Sequence, residues 1–140
     1  MKSICLDSNY IIALSNQRDT LHNRAVSCAP IIEGKQLFLS SLVYSEAMTV
    51  LSQQVDRSTA IEVGQTLLSS PNITLIHISY QLFMDSWQIF SKINKKNMSF
   101  VDCSILAMMK AHRIKKLLTF DLTDFAPLQK QFGFELVSAS

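Results

Sequence analysis

The sequence predicts a three-layer α/β/α sandwich built on a mostly parallel, five-stranded sheet. Five short β-branched or leucine-rich runs alternate with longer segments of helical spacing, and this order implies right-handed crossovers between parallel neighbours. The runs are continuously apolar, as in strands covered on both faces. At 140 residues and 15.8 kDa the chain has room for one good core but not two, so residues 1–140 read as a single domain.

The elements follow in order. Strands are predicted at 3–7, 36–40, 73–78, 116–120 and 134–137, each bounded by polar or turn residues. A helix over 19–33 is bent or ended by Pro30. A second covers 41–54, and a third runs over 59–69 with Thr59 and Glu62 at capping-box spacing. The next starts after Ser79 as N-cap and carries Leu82, Phe83, Trp87, Phe90 and Ile93 as a stripe assigned to the core. Helices over 99–112 and 122–131 complete the set.

Composition excludes several classes. Gly34, Gly64 and Gly133 are too far apart for a G-x-G-x-x-G or Walker A phosphate loop. The net charge of +2 gives no strong nonspecific pull on a polyanion. Charged residues, at 17%, fall below the usual ~25%, so part of the surface is expected to lie against a partner. Cys5, Cys28 and Cys103 are odd in number and sit in apolar surroundings, which points to buried thiols in a reducing cytoplasm. Asp7 interrupts any signal-peptide core, and no apolar run approaches a membrane span, so a soluble, cytoplasmic chain is expected.

Of the 11 acidic residues, four interrupt apolar segments: Asp7 after Ile-Cys-Leu, Glu46 within Val-Tyr-Ser-Glu-Ala-Met, Asp102 within Phe-Val-Asp-Cys, and Asp121 after Leu-Thr-Phe. An unpaired charge in such a place is costly. At about 100° per residue, Glu46 projects with Leu42, Val43 and Val50, and Asp102 with Ile105, Leu106 and Met109, toward the core side of their helices. Asp7 and Asp121 stand at the carboxyl ends of their strands, and the helix of Asp102 starts at the same edge. Glu46 lies about 7.5 Å into the helix leaving the second strand. All four can therefore converge at the edge where ligands bind in open α/β sheets.

Taken singly, Asp102 is explained by the first helical turn after Ser99, Asp121 by a helix cap, and Asp7 by a cap on the turn after the first strand. Glu46 has no such explanation, and the joint placement favours a metal site. An all-oxygen cluster lacking His and Cys selects Mg²⁺ or Mn²⁺ over zinc. Such an ion activates water and stabilises the leaving oxygen in phosphodiester hydrolysis.

The segments Leu6-Asp7-Ser8-Asn9, Ser45-Glu46, Ser99-Phe100-Val101-Asp102 with Ile105-Leu106-Ala107, and Leu118-Thr119-Phe120-Asp121 with Asp124-Phe125 resemble the PIN-domain family, in particular its small VapC-type toxin ribonucleases. The resemblance extends over nearly the whole chain. It implies a strand order 3-2-1-4-5, a Mg²⁺- or Mn²⁺-dependent endoribonuclease acting on RNA, a homodimer, and a protein antitoxin as partner. Asp7, Glu46, Asp102 and Asp121 match the family's acidic quartet as catalytic residues and metal ligands. Ser8, Asn9 and Thr119 match its small polar positions near the metal. Asp124 is a further metal or supporting position, at a spacing one residue longer than the family's.

Lys92, Lys95 and Lys96 precede the Asp102 helix and are the better candidates for RNA phosphate contacts, although a solvated face is the plainer reading. Lys110, Arg113, Lys115 and Lys116 read as solubilising. His22, His77 and His112 have no ligand spacing, and Tyr10 and Tyr44 are assigned to packing rather than base stacking. A haloacid-dehalogenase-like phosphatase wants an acid where Asn9 stands, and a receiver domain wants a phospho-acceptor where Ile78 and Ser79 stand. The remaining alternative is a catalytically silent RNA- or partner-binding module.

Overall fold

A computed structural model describes residues 2–138. The chain runs β1 (Ser3–Leu6), α1 (Ser8–Ser15), α2 (His22–Val26), α3 (Ala29–Ile32), β2 (Gln36–Ser40), α4 (Ser41–Gln54), α5 (Arg57–Ser69) and β3 (Ile73–Ile76). It continues through α6 (Tyr80–Lys92), α7 (Phe100–His112), β4 (Lys116–Leu118), α8 (Leu122–Phe125), a 3₁₀ turn (Ala126–Leu128), α9 (Gln129–Phe132) and β5 (Glu135–Val137). The strands pair in parallel in the order β3-β2-β1-β4-β5 with helices on both sides, as expected. β1 is central, with Ile4 beside Leu37 of β2 and Leu6 beside Leu118 of β4. Ile4, Leu6, Leu39, Ile105, Met108, Leu117 and Leu118 are almost completely buried and form the centre of the core. Cys5, Cys28 and Cys103 are buried free thiols. Among the described residues no helix is long and apolar enough to cross a membrane.

Several sequence expectations are corrected. The segment after β1 is a helix, not a short turn: Asp7 is its N-cap, and Ser8, Tyr10, Ile11 and Ala13 are buried. Their apolarity on most sides leaves no periodic stripe to read. The 19–33 helix is two shorter ones. The Asp19 carboxylate accepts from Leu21 N–H at 2.8 Å and holds a turn, so the first begins at His22. Pro30 lies in the first turn of α3 and opens a helix rather than ending one, since a missing N–H is no loss there. The Thr59–Glu62 capping box is absent: Asp56 is the N-cap of α5 and accepts from Thr59 N–H at 2.6 Å. Pro127 likewise falls in a 3₁₀ turn that divides the 122–131 helix.

The largest correction concerns α6. Leu82 of the proposed core stripe is buried, but Phe83, Trp87 and Phe90 are 49%, 47% and 40% exposed, and Tyr80 before them 79%. The rings pack on each other and on Phe100 of α7: Phe83–Phe100 at 5.3 Å, Phe90–Phe100 at 5.8 Å and Trp87–Phe90 at 6.1 Å between centroids. Helical periodicity locates an apolar face, but it does not say whether the same chain covers it.

Candidate active site

Parallel pairing brings the carboxyl ends of all strands to one edge, and the strand order reverses there between β1 and β4. Asp7 follows β1 and donates its backbone N–H to Leu118 O at 3.1 Å, so it stands directly beside the end of β4. Thr119, fully buried, is the hub between them. Its hydroxyl donates to Asp7 Oδ2 at 2.8 Å and accepts from Asn9 Nδ2 at 3.0 Å and from Asp121 N–H at 3.0 Å. Asn9 Oδ1 in turn accepts from Phe120 N–H at 3.1 Å. Ser8, the first residue of α1, donates its backbone N–H to Asp7 Oδ1 at 2.7 Å and its hydroxyl to Glu46 Oε1. That bond ties α1 to α4 through the acid that no cap explains.

The other acids have structural partners as well. Asp102 completes a capping box: its Oδ2 accepts from Ser99 N–H at 3.0 Å while its own N–H donates to Ser99 Oγ at 3.0 Å. Asp121 caps α8, its Oδ1 accepting from Asp124 N–H at 3.3 Å. The capping roles foreseen for Asp7, Asp102 and Asp121 are therefore real. They do not displace a second role, because Asp102 and Asp121 each use one carboxylate oxygen for the cap and keep the other.

The electrostatics show what the geometry brings together. Asp7 is 3% exposed, and burial pushes its pKa up to about 7, with the charges of Asp102 and Glu46 adding to the rise and hydrogen bonds from Thr119 and Ser8 opposing it. Burial first, then Asp121 and Glu46, raise Asp102 against the hydrogen bonds from Ser99. Burial and then the charge of Asp124 raise Asp121 against the backbone bond from Asp124. The neighbouring Cys103 thiol is pushed up to about 11 by burial and then by Asp102. Among the described residues no cation figures in the influences on these carboxyls, and the like charges raise one another.

This donor set fits a hard divalent ion by its chemistry: carboxylate oxygens, hydroxyls and one amide, with mutual repulsion that a dication relieves. The acids are not closed into a cage, however. Among the described residues no group of three or more His, Cys, Asp or Glu is set for direct coordination. The hydroxyls of Ser8 and Thr119 occupy carboxylate oxygens of Glu46 and Asp7 instead.

Lys92 and Lys95 line a surface pocket with Ile89, Leu128, Gln131 and Phe132, in which none of the four acids takes part. Lys96 is exposed in the same loop. One cation that sequence reading passed over packs on a residue at the end of β4. Arg24 of α2 has its guanidinium carbon 5.1 Å from the centroid of the Phe120 ring, between Thr119 and Asp121 in the chain. The two residues are far apart in sequence, so no local pattern signals the pair.

The family model described as PIN domain matches residues 4–129, nearly the whole chain. The chain belongs to the PIN-domain family. This PIN domain is 25% identical over 122 residues to the 23S rRNA-specific endonuclease VapC20 of Mycobacterium tuberculosis H37Rv, a match covering 84% of this chain and 88% of that one. The crystal structure of the same organism's VapC20, described as a Sarcin-Ricin loop cleaving toxin, superposes with a TM-score of 0.85 at 23% identity, covering 97% of this chain and 99% of that one. A toxin–antitoxin complex from Klebsiella pneumoniae gives a TM-score of 0.67 at 20% identity, with coverage of 96% and 95%. VapBC2 of Rickettsia felis, solved with a DNA fragment from its promoter, gives 0.68 at 14%, with coverage of 96% and 97%. The PIN domain thus has the fold of these proteins.

Proposed function

We propose that this PIN domain is a Mg²⁺- or Mn²⁺-dependent endoribonuclease and the toxin of a toxin–antitoxin pair. The observation that carries the reading is the convergence of Asp7, Glu46, Asp102 and Asp121 at the edge where the strand order reverses, each raising a neighbour's pKa or being raised by one. Helix caps account for Asp7, Asp102 and Asp121 one at a time but not for their gathering with Glu46, and together the four supply what a divalent ion needs.

When bound, the ion supplies Lewis-acid stabilisation of the phosphoryl oxygens and lowers the pKa of water at the site. The chain's own part is positional. Asp7 is fixed by Thr119 and the Ser8 N–H, and Glu46 is oriented by the Ser8 hydroxyl. Asp102 is locked by Ser99, and Asp121 is held at the end of β4 by its N–H bond to Thr119. In this reading Asp7, Glu46, Asp102 and Asp121 are the ligands, Asp124 supports Asp121, and Ser8, Asn9 and Thr119 set the acids' orientation. Lys92, Lys95 and Lys96 serve as phosphate contacts away from the cut.

The substrate class is single-stranded or looped RNA, whose unpaired backbone is free to bend toward the acidic edge. The named activity of VapC20 makes ribosomal RNA the first substrate to try. The partner is a small antitoxin whose segment covers the acidic pocket, with an Arg as counter-charge. A second copy of the chain is proposed to cover the aromatic face of α6. A silent binding module is the second reading, and the unclosed arrangement of the acids is what favours it.

Incubating the purified chain with total RNA, with Mg²⁺ or Mn²⁺ and then with excess chelator, decides between them. Metal-dependent cutting supports the nuclease, and binding without cutting under any of these conditions supports the silent module. Cutting that persists in chelator removes the metal from the mechanism. A growth defect on expressing the chain alone, relieved by a neighbouring gene product, supports the toxin role. Absence of both counts against it.

A further inference from the structure

We infer that Arg24 holds an RNA phosphate next to the one being cut; this rests on the nuclease reading above. Arg24 is half-buried on α2, with its guanidinium over the Phe120 ring. That ring is not a free surface. Phe120 follows Thr119, which donates to Asp7, and precedes Asp121, and its N–H is bound by Asn9. Tyr10 meets the ring edge-on at 6.3 Å between centroids. The cation is therefore referenced to the acidic cluster through one fixed aromatic side chain.

An aromatic face stabilises a guanidinium without using its N–H donors. Those donors stay available, and their planar fork matches a phosphate better than an ammonium does. The site has need of such a group. Its carboxylates repel a polyanion where the backbone must approach, and a net charge of +2 supplies little general attraction. Arg24 adds positive charge over Phe120, the residue between Thr119 and Asp121, and it leaves the acids un-neutralised, since it does not figure among the influences on their pKa values. The competing reading is that Arg24 only packs its stem on Phe120.

The test compares wild type with Arg24→Gln, Arg24→Lys and Arg57→Gln. Arg57 opens α5, beyond the far end of α4 from the acids, so its variant matches the charge loss alone. Metal-dependent cleavage kinetics are measured beside equilibrium binding of a fluorescent single-stranded RNA oligonucleotide in chelator over a range of salt. Arg24→Gln is expected to raise KM about tenfold, more than it lowers kcat. It should also flatten the slope of log affinity on log salt by about 0.7, the share of one single-strand phosphate. Arg24→Lys should keep the slope and recover only part of the KM, and Arg57→Gln should leave both unchanged. Arg24→Met, which keeps the stem against Phe120, is read in the same way and guards against loss of packing. A fall in melting temperature with neither KM nor slope altered overturns the inference. A wild type that binds RNA with an Arg24-dependent slope, yet never cuts it, overturns the nuclease reading and leaves Arg24 as an RNA contact.

Discussion

Replacing Asp7 by Asn removes the most deeply buried of the four site acids while keeping its shape. In the metal-free protein burial and the neighbouring acids raise Asp7 from 3.8 to about 7. At 1.36 kcal/mol per pKa unit, holding it ionised in the fold costs about 4 kcal/mol. The sign follows from linkage. The folded state keeps a proton that the unfolded chain has lost, so stability is full below the unfolded pKa and declines as pH rises toward about 7. In that window this group alone gives a slope of about −1.36 kcal/mol per pH unit, and Asp102 and Asp121, also raised, slope the same way.

The substitution has an opposing cost. Thr119 Oγ1 already accepts from Asn9 and Asp121 N–H, so its own proton must go to residue 7. An Asn offers one oxygen, which cannot serve both Thr119 and the Ser8 N–H. One donor is then left facing an amide N–H₂, a loss of about 1–3 kcal/mol. The two effects predict crossing curves: in chelator Asp7→Asn is more stable than wild type by about 1–3 kcal/mol near pH 8 and less stable near pH 4. Urea unfolding of both proteins at the two pH values, compared as a difference so that titrating groups remote from residue 7 cancel, measures this. A variant less stable at both, or a wild type with no decline between them, would refute the uncompensated charge on which the site reading depends.

Asp121→Asn should cap α8 nearly as well as Asp, so its melting temperature without metal is expected not to fall, while RNA cleavage and most of the Mg²⁺-induced rise in melting temperature disappear. An active variant with an unchanged metal shift removes Asp121 from the site. Trp87→Asp, on the aromatic face of α6, should convert a dimer to a monomer in sedimentation or light scattering with little change in melting temperature of the monomer. A wild type that is monomeric at high concentration refutes the α6 interface. The melting temperature of the wild type should rise with Mg²⁺ at pH 8 more than at pH 5, because protons compete for Asp7 at the lower pH.

The strand order was implied by the family resemblance alone, whereas the parallel, doubly covered sheet follows from simpler facts. Five continuously apolar runs separated by helices admit few sheets other than a parallel one buried on both faces. The acids were legible for a related reason. A carboxylate inside Val-Tyr-Ser-Glu-Ala-Met or at the end of Leu-Leu-Thr-Phe is energetically out of place unless something compensates it, and sequence displays that conflict directly. Local competition between backbone partners was less legible. Asp56 rather than Thr59 caps α5, and α1 has too little periodicity to announce itself. What tertiary structure alone decided were relations between distant segments: the Thr119 hydroxyl shared by Asp7, Asn9 and Asp121, the Ser8 bond to Glu46, and Arg24 over Phe120. It also decided that the apolar face of α6 is left open, because periodicity records that a face is hydrophobic, and only the packing of the rest of the chain determines what lies against it.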